Sequence, residues 1–226
     1  MRIKKQHTLW LLSILLFCFC NAKAQENTNT KTVAPRFSMR INCGIPKITS
    51  SQLLRNSFSG VVFTEGNLNC RLFSNVFVGV GYSYSYFKTT KGLSDLNVHT
   101  NMQMQHGYVK FGYDHYLSSN KFVSISLNAG YNYTFYQGVK YATDSLIGKY
   151  PTQFSSSFAE PQFTYYILND DGIALGFHVG YYYNFKQFDI RNSGLDKWLT
   201  NTNSLTNKWN ISSINIGLGI YYGIGK

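Results

Sequence analysis

From Arg36 onward the chain alternates between two kinds of side chain with a period of two. Val76, Val78, Val80, Tyr82, Tyr84 and Tyr86 interleave with Phe77, Gly79, Gly81, Ser83 and Ser85. The same split separates Val123, Ile125, Leu127, Ala129, Tyr131, Tyr133 and Phe135 from Ser124, Ser126, Asn128, Gly130, Asn132 and Thr134. It returns at Ile173, Leu175, Phe177, Val179, Tyr181, Tyr183 and Phe185 against Ala174, Gly176, His178, Gly180, Tyr182, Asn184 and Lys186. A period of two is that of a β-strand whose faces meet different surroundings. One face here is large and apolar, the other mostly small or polar. Weaker alternations complete eight predicted strands, at about 36–46, 60–73, 76–88, 103–117, 122–136, 155–168, 172–187 and 209–224.

The connections alternate as well. Ser74-Asn75, Leu117 to Lys121, and Asn169-Asp170-Asp171-Gly172 carry the residues of tight hairpin turns. Between them lie longer polar stretches at about 47–59, 89–102, 137–154 and 189–208. Short turns on one rim and long loops on the other are what a membrane barrel shows, because its rims face different compartments. Several strands also exceed the roughly 9 to 11 residues that cross a bilayer at the usual tilt, so their ends should project. Eight strands enclose a space that side chains alone fill, which puts the Gly, Ser and Asn face inside and the apolar face against lipid. The predicted fold class is therefore all-β, an eight-stranded antiparallel up-and-down transmembrane β-barrel. A soluble exported barrel with the faces reversed around a ligand is the alternative architecture.

Aromatic residues fit two interfacial belts. Tyr84, Tyr86, Tyr133, Phe135, Tyr183, Phe185 and Trp209 fall toward the long-loop ends of the strands, and Tyr116, Phe122, Tyr166 and Tyr222 toward the short-turn ends. Composition changes the picture little: 17% aromatic and 14% charged residues exclude a disordered chain. No run of 18 apolar residues follows residue 24, so helical membrane spans are excluded there. Residues 1–24 read as a secretory signal peptide, with Arg2, Lys4 and Lys5, an apolar run from Leu9 to Cys20, and Ala22-Lys23-Ala24 before the cut. Its removal takes Arg2, Lys4, Lys5 and Lys23 from a formal charge of +11 and leaves +7. Residues 25–35 are expected to be a flexible lead-in to a barrel domain at 36–226.

These features together resemble the small outer-membrane β-barrel families of Gram-negative bacteria, the OmpA-transmembrane and OmpX-like group. The Gly- and Tyr-rich strands, as in Val78-Gly-Val-Gly-Tyr82 and Gly176-Phe-His-Val-Gly-Tyr-Tyr-Tyr183, look like the outer-membrane beta-barrel domain proteins of Bacteroidetes. The resemblance covers 36–226 and implies residence in the cell outer membrane among its lipid and lipopolysaccharide, with insertion by the barrel-assembly machinery. The usual assembly signal is a last strand ending in an aromatic. This chain offers Ile216, Leu218, Ile220 and Tyr222 and then ends at Lys226, a departure from that signal.

Strand parity turns a set of ionisable residues inward: Arg40, Glu65, Arg71, Lys110, Asp114, Glu160 and Lys186, with His106 and His178. With no lipid to face and little water, they should pair across the lumen as a polar plug; an ion or proton path is the sharper alternative. His115 beside Asp114 and near Ser118 and Ser119 hints at a hydrolase, but neighbours on a strand point to opposite faces. Cys43 and Cys70 lie on the first hairpin, where a register centred near residue 56 or 57 would allow a cross-strand disulfide; two free thiols are the alternative. No phosphate loop, paired-cysteine motif or metal-ligand spacing occurs, so neither catalytic residue, cofactor nor metal is expected. The long loops, Tyr141 to Tyr150 and Arg191 to Lys208 among them, are the place for recognition. Positive charge favours anionic partners such as lipopolysaccharide phosphates, and its dispersal argues against nucleic acid. The expected function is a non-enzymatic outer-membrane barrel with a structural or surface-recognition role, including a surface or secretion-complex protein as partner. A lipid-modifying enzyme and a narrow pore or secretion-system accessory subunit are the alternatives.

Overall fold

The computed structural model describes residues 35–90, 98–99, 101–136, 140–141, 152–169, 173–189 and 208–224. The signal peptide and all of the lead-in except Pro35 lie outside these residues, as does most of the three later long connections. Among the described residues eight long strands form one closed barrel: β1 (Phe37–Ile48), β2 (Phe58–Phe73), β3 (Val76–Thr89), β4 (Asn101–Ser118), β5 (Lys121–Tyr136), β6 (Thr152–Leu168), β7 (Ile173–Asp189) and β8 (Lys208–Ile224). Every strand pairs antiparallel with its sequence neighbours, and β1 closes on β8 over a register running from Phe37↔Ile224 to Ile48↔Ser213. The predicted strands are found with most ends extended by up to three residues, while β1 and β7 each begin one residue later than predicted.

From Arg40 the ladder runs through Asn67, Gly81, Tyr108, Gly130 and Phe158 to Asn184 in one direction, and through Tyr221 to Ala174 in the other. Positions 184 and 174 differ by ten residues of stagger, which tilts the strands as closure requires. Two turns are two-residue hairpins, at Ser74-Asn75 and Ser119-Asn120. Ser74 takes φ 46°, the left-handed conformation that primed hairpin turns demand. At the opposite rim the β1–β2 connection holds a single turn of helix, α1 (Gln52–Ser57), whose N-cap Ser51 accepts the Leu54 N–H at 3.1 Å. A two-residue ladder, Val98–His99 with Lys140–Tyr141, joins the β3–β4 and β5–β6 connections.

Burial reverses along the barrel axis. Over the lower part, nearer the short turns, the outer face is apolar and exposed: Val109 and Phe111 on β4, Phe163 and Ile167 on β6, Leu175 and Phe177 on β7, Ile216, Leu218 and Ile220 on β8. Inward positions there are polar and buried, with Asp114 and Lys110 on β4 and Thr164 and Gln162 on β6. We call this the belt. Above it, toward the long connections, β4 places Gln105, Gln103 and Asn101 outward while Met104 and Met102 are buried inside. Likewise β6 turns Ser157 and Gln153 out and buries Phe158. In this collar the strands have outrun the lipid, so the ordinary rule of an apolar interior returns.

Two clusters fill the lumen ends. The collar holds Ile48, Leu54, Phe58, Phe87, Met102, Met104, Tyr136, Phe158, Phe188 and Ile211, with Phe154 and Trp209 half-buried against them. The floor at the short-turn end holds Phe122, Tyr166, Ala174 and Tyr221, with Tyr116 and Leu168 alongside. Phe122 and Tyr166, expected in the lower interfacial belt, are thus inside the barrel, 0% and 1% exposed. They correct the sequence reading: the narrow lumen is filled there by stacked rings, Phe122 to Tyr166 at 4.8 Å between centroids. Tyr116 and Trp209 likewise pack against lumenal clusters, whereas Tyr222, Tyr133 and Phe185 face outward.

Candidate functional site

The chemistry-bearing side chains meet inside the belt, between the two apolar clusters. Arg40 of β1 crosses the lumen to β4 and β5: its Nη2 donates to both Asp114 oxygens at 2.7 and 3.0 Å, and its Nη1 donates to Ser124 Oγ at 2.5 Å. The guanidinium lies 4.1 Å from the Phe77 ring centroid and within 6 Å of those of Tyr166 and Tyr221. A delocalised cation is well suited to such a cradle, because it stacks on rings and still presents its N–H fork to a carboxylate. Arg71 approaches the same Asp114 at 3.7 Å and donates to the Tyr116 hydroxyl at 2.9 Å.

A second group centres on Glu65 of β2. Lys110 Nζ donates to Glu65 Oε1 at 3.0 Å and to Gln162 Oε1 at 2.7 Å, while Gln162 Nε2 donates to Glu65 Oε2 at 2.6 Å. Asn67 Nδ2 adds a bond to Glu65 Oε1 at 2.9 Å. Glu160 has no ion-pair partner within the described residues; Asn215 Nδ2 donates to it at 2.6 Å. The two histidines are buried, His106 against Ser83 and His178 against Thr164. By formal charge, three cationic side chains (Arg40, Arg71, Lys110) share the lumen with three carboxyl groups (Glu65, Asp114, Glu160), and the buried charges are stabilised where they pair.

Glycines set where rings fit. Phe63, Gly44, Gly217 and His178 form one row across β2, β1, β8 and β7. The outer members stand three strand spacings apart, roughly 14 Å along the sheet, yet their rings stack at 5.9 Å with planes 9° apart. They do so by reaching over the two glycines, each of which packs so closely that an added Cβ would overlap the backbone of the facing strand.

Most of the inward ionisable residues expected from parity are here: Arg40, Glu65, Lys110, Asp114, Glu160, His106 and His178 are buried, and Arg71 is half-buried. Lys186 is the exception and a correction. It shares the inward parity but is exposed, in the collar beyond Asn184, with its ammonium 5.3 Å from the Phe154 ring. The Cys43–Cys70 bridge is also corrected. Cys43 pairs with Thr64 and Cys70 with Phe37, six residues apart along the hairpin, and both thiols are free. The β1–β2 register, from Phe37↔Cys70 to Gly44↔Phe63, centres the hairpin between residues 53 and 54, inside α1, and not near 56 or 57. Asp114 and His115 face opposite ways, Asp114 into the lumen and His115 outward beside Tyr113 at 6.5 Å between ring centroids. The uncharged members of the network, Gln162, Asn67, Asn215 and Ser124, carry no ionisable group to mark them in the sequence, and their inward parity is the one signal they share with the charged set.

An apolar exterior around a paired polar interior defines a class: an eight-stranded integral membrane β-barrel with the fold of the small outer-membrane barrels. No protein-family model and no curated protein matches the chain. Solved structures do. A major outer membrane protein from Thermus thermophilus aligns with TM-score 0.55 at 14% identity, over 82% of this chain and 97% of that one. Neisserial surface protein A aligns at 0.49 with 16% identity, over 84% and 99%. Ail of Yersinia pestis, in complex with the heparin analogue sucrose octasulfate, aligns at 0.46 with 8% identity, over 82% and 97%. At these identities the likeness is one of fold.

Proposed function

We propose that this protein is a non-enzymatic resident of the outer membrane, exported by its N-terminal signal peptide and inserted by the barrel-assembly machinery. Its role is structural, or recognition of a surface component or partner protein through the four long connections. The observation that carries this reading is the doubly capped lumen. Collar side chains such as Phe58, Phe87, Met102 and Met104 close one end, and Phe122, Tyr166 and Tyr221 the other. Between them Arg40 holds Asp114 and Lys110 holds Glu65, and the Ser83–His106 and Thr164–His178 pairs are buried between the two caps. The hydrolase reading lacks its geometry, since Asp114 is held by two arginines and Ser118 donates to Asn120 at 2.8 Å. A pore is the second reading, favoured by lumenal polar atoms without a protein partner, those of Asn128 and Glu160 Oε2 among them. It requires both caps to part.

Planar-bilayer recording of the purified barrel tests the two together. The expected record has no unitary steps; discrete conductance steps, lost on heating the sample, would overturn the capped-barrel reading. Deleting the gene should leave the mass spectrum of lipid A unchanged, and a shift by one acyl or headgroup mass would assign an enzyme instead.

A further inference from the structure

The polar groups inside the barrel do not all satisfy one another. Asn128 on β5 is 0% exposed, and neither its Oδ1 nor its Nδ2 has a partner among the described residues. Its register partner on β6 is the buried Glu160, whose Oε2 is likewise unpartnered. Both side chains point inward from adjacent strands, which sets their Cβ atoms about 5 Å apart. The other carboxyl oxygen of Glu160, Oε1, accepts from Asn215 Nδ2 of β8 at 2.6 Å, and Asn215 Oδ1 has no partner. Gly180 of β7 permits that reach: it pairs with Asn215, and a Cβ there would stand 2.7 Å from Glu160 Oε1 and 3.4 Å from His178 Nε2, itself unpartnered. Three buried side-chain oxygens thus gather here without a donor: Glu160 Oε2, Asn128 Oδ1 and Asn215 Oδ1.

Formal charge points to the same place. Among the described residues, the fully buried lumenal groups comprise two cations, Arg40 and Lys110, and three carboxyl groups, Glu65, Asp114 and Glu160. Arg40 pairs with Asp114, and the half-buried Arg71 approaches the same carboxylate. Lys110 shares a row with Asn128 and Glu160 but directs its ammonium to Glu65 and Gln162. One buried carboxyl is left over, and an ionised carboxylate in a capped interior needs positive charge against it. No three carboxyl, imidazole or thiol groups that could hold a metal ion meet among the described residues, so a divalent metal lacks its usual ligand set. One carboxylate with neutral amide oxygens matches a hard monovalent cation in charge and in ligand type.

We propose that Glu160, Asn128 and Asn215 form a binding site for a sodium ion inside the barrel. The ion enters as the strands close and is retained between collar and floor, where it completes the pairing of buried charge. The proposal rests on the capped-lumen reading above and adds a resident ligand to it.

The test refolds the full mature chain into detergent micelles at fixed pH, with NaCl exchanged for choline chloride at constant ionic strength, and follows the folded band on gels as the sample is heated. The wild-type midpoint should rise with the logarithm of sodium concentration, on the order of 4 °C per tenfold above the dissociation constant. Glu160→Gln removes the charge and Asn128→Leu removes an amide that has no protein partner; either variant should fold and lose the dependence on sodium. Equal midpoints for wild type in the two salts would overturn the site and assign the compensating charge to a proton on Glu160. A sodium response that survives in both variants would overturn it as well, placing the ion elsewhere. Absence of a heat-modifiable band from wild type in either salt would overturn the barrel reading and the site with it.

Discussion

The belt and the collar are made from the same eight strands and the same alternation, yet they bury opposite kinds of side chain. On β4 the inward sequence from the short-turn end reads Asp114, Lys110, Met104, Met102, while the outward one reads Phe111, Val109, Gln105, Gln103. Nothing in the backbone marks the crossover; the solvent does. Where acyl chains cover the outside, polar groups gather within and must satisfy one another. Where water covers it, apolar side chains gather within and the barrel is stabilised as a soluble protein is. Periodicity therefore specifies that two faces exist, and the medium at each height decides which is which.

The sharpest way to break this arrangement is in the belt interior. Gly44→Val would drive a branched side chain into the facing β8 backbone beneath the Phe63–His178 stack. Loss of the fast-migrating folded band on unheated gels is the expected outcome. Next comes the charge balance. Glu65→Leu leaves Lys110 buried without its carboxylate and should cost about 3–5 kcal/mol in denaturant titrations of reconstituted protein, with Lys110→Met in addition restoring much of it. The outer surface then separates the regions. Val109→Lys, in the belt at 59% exposure, should cost about 2–4 kcal/mol in the same titration. In the collar interior, Leu54→Ala truncates a fully buried residue of α1 and should cost about 2 kcal/mol. Gln103→Lys, outward in the collar, should stay within about 0.5 kcal/mol. Equal costs for Val109→Lys and Gln103→Lys would erase the boundary drawn between belt and collar.

The alternation of Val76 to Tyr86, of Val123 to Phe135 and of Ile173 to Phe185 made strand positions and their lipid-facing sides legible, because a half-lipid, half-lumen strand has no other periodic solution. Legibility ended where height along the axis mattered. Lys186 has the right parity and sits above the level at which the interior is polar. Phe122 and Tyr166 have inward parity, but an interfacial position was inferred from their nearness to the turns. The signal for the collar was present in Met102 and Met104 interleaved with Gln103 and Gln105, a reversal of the pattern further along the same strand. Helix α1, at six residues, is too short to leave a periodicity, and the hairpin register that depends on it was illegible with it.

Arg40 lies close to the start of the barrel, and the groups that hold it, Asp114 and Ser124, are 74 and 84 residues further on. The first strand of the barrel is therefore among the last to find its hydrogen-bonded anchor, since the carboxylate and the hydroxyl that hold that guanidinium belong to β4 and β5. Long loops must close before this contact forms, so the seam between β1 and β8 belongs to the slow end of assembly.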